Sequence, residues 1–107
     1  MEQYPTIYLY QGATTVVEID LTDFDLQGGS VVLTVRKKKG TRDVVETWEL
    51  TEARVHEVVF KDELTATLDA GTNKYEYDLM WHIGEERFAQ CAPSPVEVAK
   101  TVGGFIV

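Results

Sequence analysis

Cysteine is nearly absent from this chain of 107 residues, since Cys91 is the only one. A single thiol cannot form an internal disulfide, which excludes a disulfide scaffold. The neighbours Gln90 and Ala92 supply no base, and the two histidines, His56 and His82, have no patterned relation to the thiol. Because a nucleophilic thiol needs a base or a positive field, we predict that Cys91 is a buried structural residue.

Positive charge is also scarce. Ten lysines and arginines stand against 18 aspartates and glutamates, which gives a formal net charge of −8. Binding to nucleic-acid phosphates or to an anionic membrane surface would work against this charge, so we expect neither as a partner. The main basic run, Arg36 to Lys39, lies just before Gly40 at a predicted hairpin tip, and we interpret it as a solvated turn.

Long apolar runs are missing, because no stretch approaches the roughly 20 residues that a membrane span requires. The opening residues 1–5 lack the charged region and apolar run of a signal peptide. We therefore expect a protein that is cytoplasmic when made. With 44% hydrophobic and 26% charged residues, the composition is typical of one ordinary globular domain spanning 1–107.

Residues that could hold a metal are not clustered at ligand spacing, since the two histidines and the one cysteine lie far apart in the sequence. Asp20, Asp23 and Asp25 lack the glycine and the closing acid of a calcium-binding EF-hand loop. They are better interpreted as carboxylates that cap a turn. We predict no metal and no cofactor.

Catalytic motifs are missing in the same way. The Gly28-Gly29 pair is not followed by the lysine and hydroxyl of a phosphate-binding loop. Ser30 and Ser94 lie in turn-forming contexts without a nucleophile elbow, and Glu85-Glu86 fits a solvated turn better than an acid/base pair. We predict no catalytic residue and a protein that is not an enzyme, with an unrecognised active site as a third and weaker alternative.

What the sequence does contain is a clear period of two. Tyr75, Tyr77, Leu79, Trp81 and Ile83 alternate with mostly polar residues, as expected for a strand with one buried face and one wet face. Similar patterns and turn signals predict further strands over 6–10, 14–21, 31–38, 43–50, 54–60, 87–91 and 96–102. The fold class that follows is all-β: an antiparallel β-sandwich, immunoglobulin-like or jelly-roll-like, of about eight short strands.

One short helical turn is predicted between the fifth strand and the long strand. Leu64 and Leu68 are four residues apart, and Asp62 and Glu63 suit a first helical turn. Gly71 suits its end.

The aromatic residues leave a ligand hypothesis open. Trp48 and Trp81 on a sheet could stack against sugar rings, which is the basis of the alternative function, a carbohydrate-binding module. Tyr75, Tyr77 and Trp81 fall on the predicted core face, and aromatic side chains contribute heavily to cores. We therefore favour packing over ligand binding for these rings.

An apolar tail at 103–107 combines Gly103-Gly104 with Phe105, Ile106 and Val107. Three alternatives remain: the tail covers its own core, adds to a neighbouring chain, or is frayed. We count these three apolar side chains as candidate interaction residues.

Two blocks of the sequence resemble the small β-sandwich domains of phage and prophage tail or baseplate proteins, especially the N-terminal domain of the baseplate upper protein family. The first block is Tyr10-Gln11-Gly12-Ala13-Thr14 and then Leu26 through Lys37, and the second is Leu64 to Gly71, Tyr75 to Leu79, Arg87 and Val96-Glu97-Val98. The resemblance implies a non-enzymatic structural protein of a virion or prophage. Its partners would be other phage structural proteins, or itself as a homo-oligomer.

Overall fold

The computed structural model describes residues 3–40 and 42–100 and divides them into strands and a single helical turn. The strands are β1 (Ile7–Tyr10), β2 (Thr15–Asp20), β3 (Ser30–Lys37), β4 (Val44–Leu50), β5 (Val55–Phe60), β6 (Gly71–Ile83), β7 (Glu86–Ala89) and β8 (Ser94–Ala99). The helical turn α1 (Asp62–Thr65) connects β5 to β6. The all-β prediction is confirmed. The predicted tail, with Phe105, Ile106 and Val107, lies outside the described residues.

Two sheets of unequal size form the sandwich. The larger sheet has the order β1-β8-β6-β3-β4, and the smaller contains only β2 and β5. One edge of β6 pairs with β3. On the other edge, β8 pairs with the first half of β6 and β7 pairs with its end, so β7 and β8 act as one interrupted strand. The order β8-β6-β3-β4, opposite β2 and β5, resembles the G-F-C-C′ and B-E arrangement of an immunoglobulin-like sandwich. The predicted β-sandwich class is confirmed.

One strand pair departs from the predicted antiparallel pattern. Strand β1 runs parallel to β8, with Ile7 opposite Val96 and Leu9 opposite Val98. Parallel neighbours need a long connection, and here nearly the whole domain lies between the two strands. The prediction that 6–10 is an edge strand holds, because β1 ends the order of the larger sheet.

The core lies between the sheets and follows the predicted alternation. Tyr75, Tyr77 and Leu79 of β6 are buried beside Val31, Leu33 and Val35 of β3, while β5 contributes Val58 and Phe60. The hydroxyl of Tyr75 accepts a hydrogen bond from the backbone N–H of Asp69 at 2.8 Å. A tyrosine early in a strand that bonds to the backbone a few residues upstream resembles the tyrosine corner of immunoglobulin-like folds.

The helical turn is shorter than its pattern indicated. It ends at Thr65, and Gly71 begins β6 instead of ending the helix. Thr65 is fully buried, and its hydroxyl donates to the carbonyl of Ala13 at 2.9 Å. This bond joins the turn to the β1–β2 connection.

The outer face of the larger sheet is less exposed to solvent at its centre than the alternation predicted. Glu76 is only 7% exposed and forms an ion pair with Arg42. Arg36 belongs to β3 and lies 3.2 Å from the carboxylate of Asp78. Burial raises the pKa of Asp78, and the charge of Arg36 opposes that rise. The interpretation of the whole basic run as a solvated turn is therefore wrong for Arg36, because the sheet places it across from a partly buried carboxylate.

Candidate functional site

The candidate site is a gap between β1 and β2, which we call the edge slot. Its cavity has a volume of about 460 Å³. The floor consists of Val31, Tyr77 and Leu79 from the inner face of the larger sheet, and the walls are residues 4–8 and 15–21. Both walls are strands or their direct extensions.

The slot is open because the smaller sheet has too few strands to cover the larger one. On the opposite flank, Trp48 of β4 packs against Phe60 of β5 with ring centroids 4.6 Å apart, which closes that side. On the β2 flank, Val17 and Ile19 face inward but stay only partly buried. Val58, the residue of β5 opposite Val17, is only 2% exposed. An additional strand beside β2 would cover Val17 and Ile19.

The edge of β2 that faces the slot has free backbone groups. Leu21 donates its N–H to Arg54 at 3.0 Å, in register with the β2–β5 ladder. Hydrogen-bonded and non-bonded residues alternate along an antiparallel pair. The N–H and C=O groups of Val16, Glu18 and Asp20 therefore point away from β5, and no described residue forms a backbone hydrogen bond with them.

The facing edge of β1 is similar. The N–H of Gln11 donates to the carbonyl of Ala99 at 2.9 Å, so the odd-numbered residues of β1 form the backbone hydrogen bonds with β8. The backbone groups of Tyr8 consequently point towards the slot. Two strand edges with available donors and acceptors thus border one apolar floor, and such edges are templates for pairing with another chain.

Exposed tyrosines accompany the slot on its β1 side. Tyr8 is 63% exposed on β1, Tyr10 at the end of β1 is also exposed, and so is Tyr4, which precedes the strand. Tyrosine offers a large apolar ring with a polar tip, and it is enriched in protein interfaces. On the β2 side the charged lining residues are Glu18 and Asp20, so the rim is acidic.

The polar groups at the slot have structural partners. The hydroxyl of Tyr77 donates to the carbonyl of Pro5 at 2.6 Å, and burial, followed by the nearby Cys91, raises the pKa of Tyr77 to about 12. The carboxylate of Asp20 accepts the N–H of Thr22 at 2.9 Å, and hydrogen bonding to the side chain of Thr22, followed by this backbone bond, lowers the pKa of Asp20. Tyr77 thus stays protonated, and Asp20 caps a turn as predicted. The slot is suited to binding an extended segment.

The two tryptophans proposed for sugar stacking lie on the inner face of the larger sheet, on different strands. Trp81 packs against Phe24 and Phe88, and its indole N–H donates to the carbonyl of Leu26 at 3.1 Å. The ring of Trp48 packs against the ring of Phe60. The structure does not bring the two indoles together on one exposed plane.

The remaining candidates are structural where the chain is described. Cys91 is 2% exposed, which confirms its predicted burial. Ser94 is fully buried, accepts the N–H of Tyr4 at 2.9 Å and donates to Ala92 at 2.8 Å. Within residues 3–40 and 42–100, no group of three or more histidine, cysteine or acidic side chains could hold a metal ion. The same residues contain no helix long and apolar enough to cross a membrane.

No family model matches the chain, and no curated protein is significantly similar to it. The function is therefore inferred from the geometry of the slot. Sequence reasoning missed Tyr4, Tyr8, Val17 and Ile19 as a site. A signal did exist for Tyr8, because it alternates with apolar residues along the edge strand predicted at 6–10. Nothing in the sequence indicated that, among the described strands, β2 pairs on one side only.

Proposed function

We propose that this protein is a non-enzymatic structural module that binds other proteins through the edge slot, as a component of a phage or prophage tail or baseplate. The observation that carries the proposal is the pair of strand edges on β1 and β2 that no other described strand covers, above an apolar floor. A protein segment in extended conformation matches both features at once, since it supplies backbone hydrogen bonds and apolar side chains.

The expected gain from strand addition is large enough for specific binding. Each backbone hydrogen bond contributes about 0.5–1.5 kcal/mol net, and Val16, Glu18 and Asp20 each offer a donor and an acceptor. Covering Val17 and Ile19 removes further apolar surface from water, at roughly 25 cal/mol per Å². These terms must exceed the cost of ordering the segment.

Support for the phage assignment comes from the sequence blocks that resemble baseplate sandwich domains. The first block, Tyr10 to Thr14, forms the β1–β2 connection at one end of the slot. The second contains Tyr75 of the tyrosine corner. The resemblance is the reason to look for partners among tail and baseplate proteins.

The test is to co-express the chain with the tail and baseplate proteins encoded beside its gene and to measure binding by calorimetry. Tyr8→Ala removes the most exposed ring beside the slot, whereas Val44→Ala removes an exposed apolar side chain from the opposite edge strand β4. We expect Tyr8→Ala to weaken binding about tenfold or more and Val44→Ala to leave it unchanged. Equal affinities for both variants, or no binding to any tail protein, would overturn the proposal.

The carbohydrate-binding alternative has less support. Its two candidate rings, Trp48 and Trp81, face inward and contact other aromatic side chains. A glycan array is therefore expected to be blank. A glycan that bound and quenched tryptophan fluorescence would favour the alternative instead.

A further inference from the structure

We propose that the edge slot receives residues 102–107 of a second copy of this chain, added as an extra strand beside β2. The inference rests on the proposed function, because it assigns an occupant to the same protein-binding slot. It makes the module self-associating, with each copy both offering a strand and accepting one.

The chemistry of this segment matches the slot. Residues 102–107 are Val-Gly-Gly-Phe-Ile-Val, with no charged side chain and no proline, and the nearest charged side chain before them is the positive Lys100. The slot has an apolar floor, and its charged rim residues are Glu18 and Asp20. Since the chain has a net charge of −8, most of its other segments would bring further carboxylates to this rim. An apolar segment preceded by a lysine avoids that repulsion.

The length of the segment also fits. Six extended residues span roughly 20 Å, and β2 itself has six residues, Thr15–Asp20. The segment can therefore pair along the full free edge of β2. Burial of Phe105, Ile106 and Val107 would supply the apolar contacts that Val17 and Ile19 lack within one copy.

The topology favours a second copy over the same chain. Strand β8 ends at Ala99, beside Tyr10, and the N–H of Gln11 donates to Ala99. At this end residues 11–14 join β1 directly to β2, so the connection closes the slot. The lining of β1 runs from Tyr8 back to Tyr4, towards the other end. A segment that continues from β8 would have to cross the connection and reverse direction, whereas one from a second copy can enter from the open end.

The first test uses a proline at Glu18. The N–H of this residue points into the slot and forms no bond with β5, so Glu18→Pro removes a donor that only an added strand would use. Proline is tolerated on an edge strand whose N–H faces solvent. The matched control is Glu18→Thr, which removes the same charge and keeps the N–H.

Sedimentation velocity should show self-association of the wild type and of Glu18→Thr. We expect at least tenfold weaker association for Glu18→Pro and for a chain that lacks 102–107. Equal association of all four proteins, or a wild type that stays monomeric at high concentration, would overturn the proposal.

A cross-linking test does not depend on the folding of the proline variant. In a Cys91→Ala background, one chain carries Glu18→Cys, and a second carries Phe105→Cys or Ile106→Cys. Neighbouring residues of a strand point to opposite faces, so one of these two positions must lie on the face of Glu18. We expect a disulfide-linked pair from one mixture, and none when Val44→Cys replaces Glu18→Cys as the control.

The outcomes separate the two proposals. A disulfide within a single chain that carries both cysteines, without a linked pair, overturns the second copy as donor. No cross-link in either arrangement overturns 102–107 as the occupant. In both cases the proposed function stands if Tyr8→Ala still weakens binding to a tail protein, and it falls independently if that variant has no effect.

Discussion

Replacing Tyr77 by phenylalanine tests how the N-terminal segment is held across the floor of the slot. The hydroxyl of Tyr77 donates to Pro5 at 2.6 Å, and the ring itself is 3% exposed. The substitution removes one oxygen, leaves the ring in place and deprives the carbonyl of Pro5 of its donor. Any loss of stability therefore reports on this hydrogen bond.

The size of the effect at neutral pH follows from that bond. A neutral hydrogen bond contributes about 0.5–1.5 kcal/mol net. For a domain of this size, 1 kcal/mol shifts the melting temperature by roughly 4–8 °C. We expect Tyr77→Phe to lower the melting temperature by about 3–8 °C.

Alkaline pH gives a second and more specific result. The pKa of Tyr77 is raised from 10.0 to about 12, mainly by burial. Between these two values the unfolded chain loses the phenolic proton while the folded chain keeps it, so the contribution is intact below pH 10 and declines as the pH rises. A pKa difference of this size corresponds to at most about 3 kcal/mol, and solvent screening reduces this to roughly 1–2 kcal/mol. Tyr77→Phe removes this decline.

The assay is urea unfolding of both proteins at several pH values from 8 to 12, with the exposed Tyr8→Phe as the control. The stability difference between wild type and Tyr77→Phe should shrink above pH 10, and Tyr8→Phe should track the wild type throughout. A constant difference across this range would refute the argument that burial of Tyr77 suppresses its ionisation.

Two further predictions concern packing and close approach. Trp48→Ala should lower the free energy of unfolding by roughly 2–4 kcal/mol in urea titrations, since it uncovers Phe60 and opens the second flank, whereas Trp48→Phe should cost much less. Gly29→Ala should cost about 1–3 kcal/mol by differential scanning calorimetry, because a Cβ there would overlap the backbone carbonyl of His82. Gly28→Asn is the control for this substitution. Gly28 has a φ of +80° with open space around it, and asparagine tolerates that conformation. A similar loss of stability at both positions would contradict the argument that Gly29 is needed for close approach.

The outer face of the larger sheet illustrates a limit of alternation. The pattern along β6 assigned Glu76 and Asp78 to a polar face, and that assignment of faces is right. It could not show that Arg36 of β3 and Arg42 of the β3–β4 connection pair with them. Which polar residues are covered depends on neighbours across the sheet, and sequence period carries no such information.

The edge slot shows the same limit for the candidate site. The tyrosine spacing on β1 and the period of β2 are visible in the sequence, yet a free edge is defined by the absence of a neighbouring strand. Sequence motifs can indicate clusters of chemistry-bearing residues and aromatic side chains on a strand. The feature that distinguishes this protein is an arrangement of backbone groups.

By itself, the sequence determined the all-β class, the positions of the strands and the short helical turn. It did so because period-two alternation and turn residues act locally, within one strand and its ends. Only the tertiary structure decided that β1 runs parallel to β8, that Trp48 closes one flank and that the other flank stays open. The physical reason is that strand order and edge exposure depend on which distant segments pair, and that is set by the packing of two unequal sheets around one core.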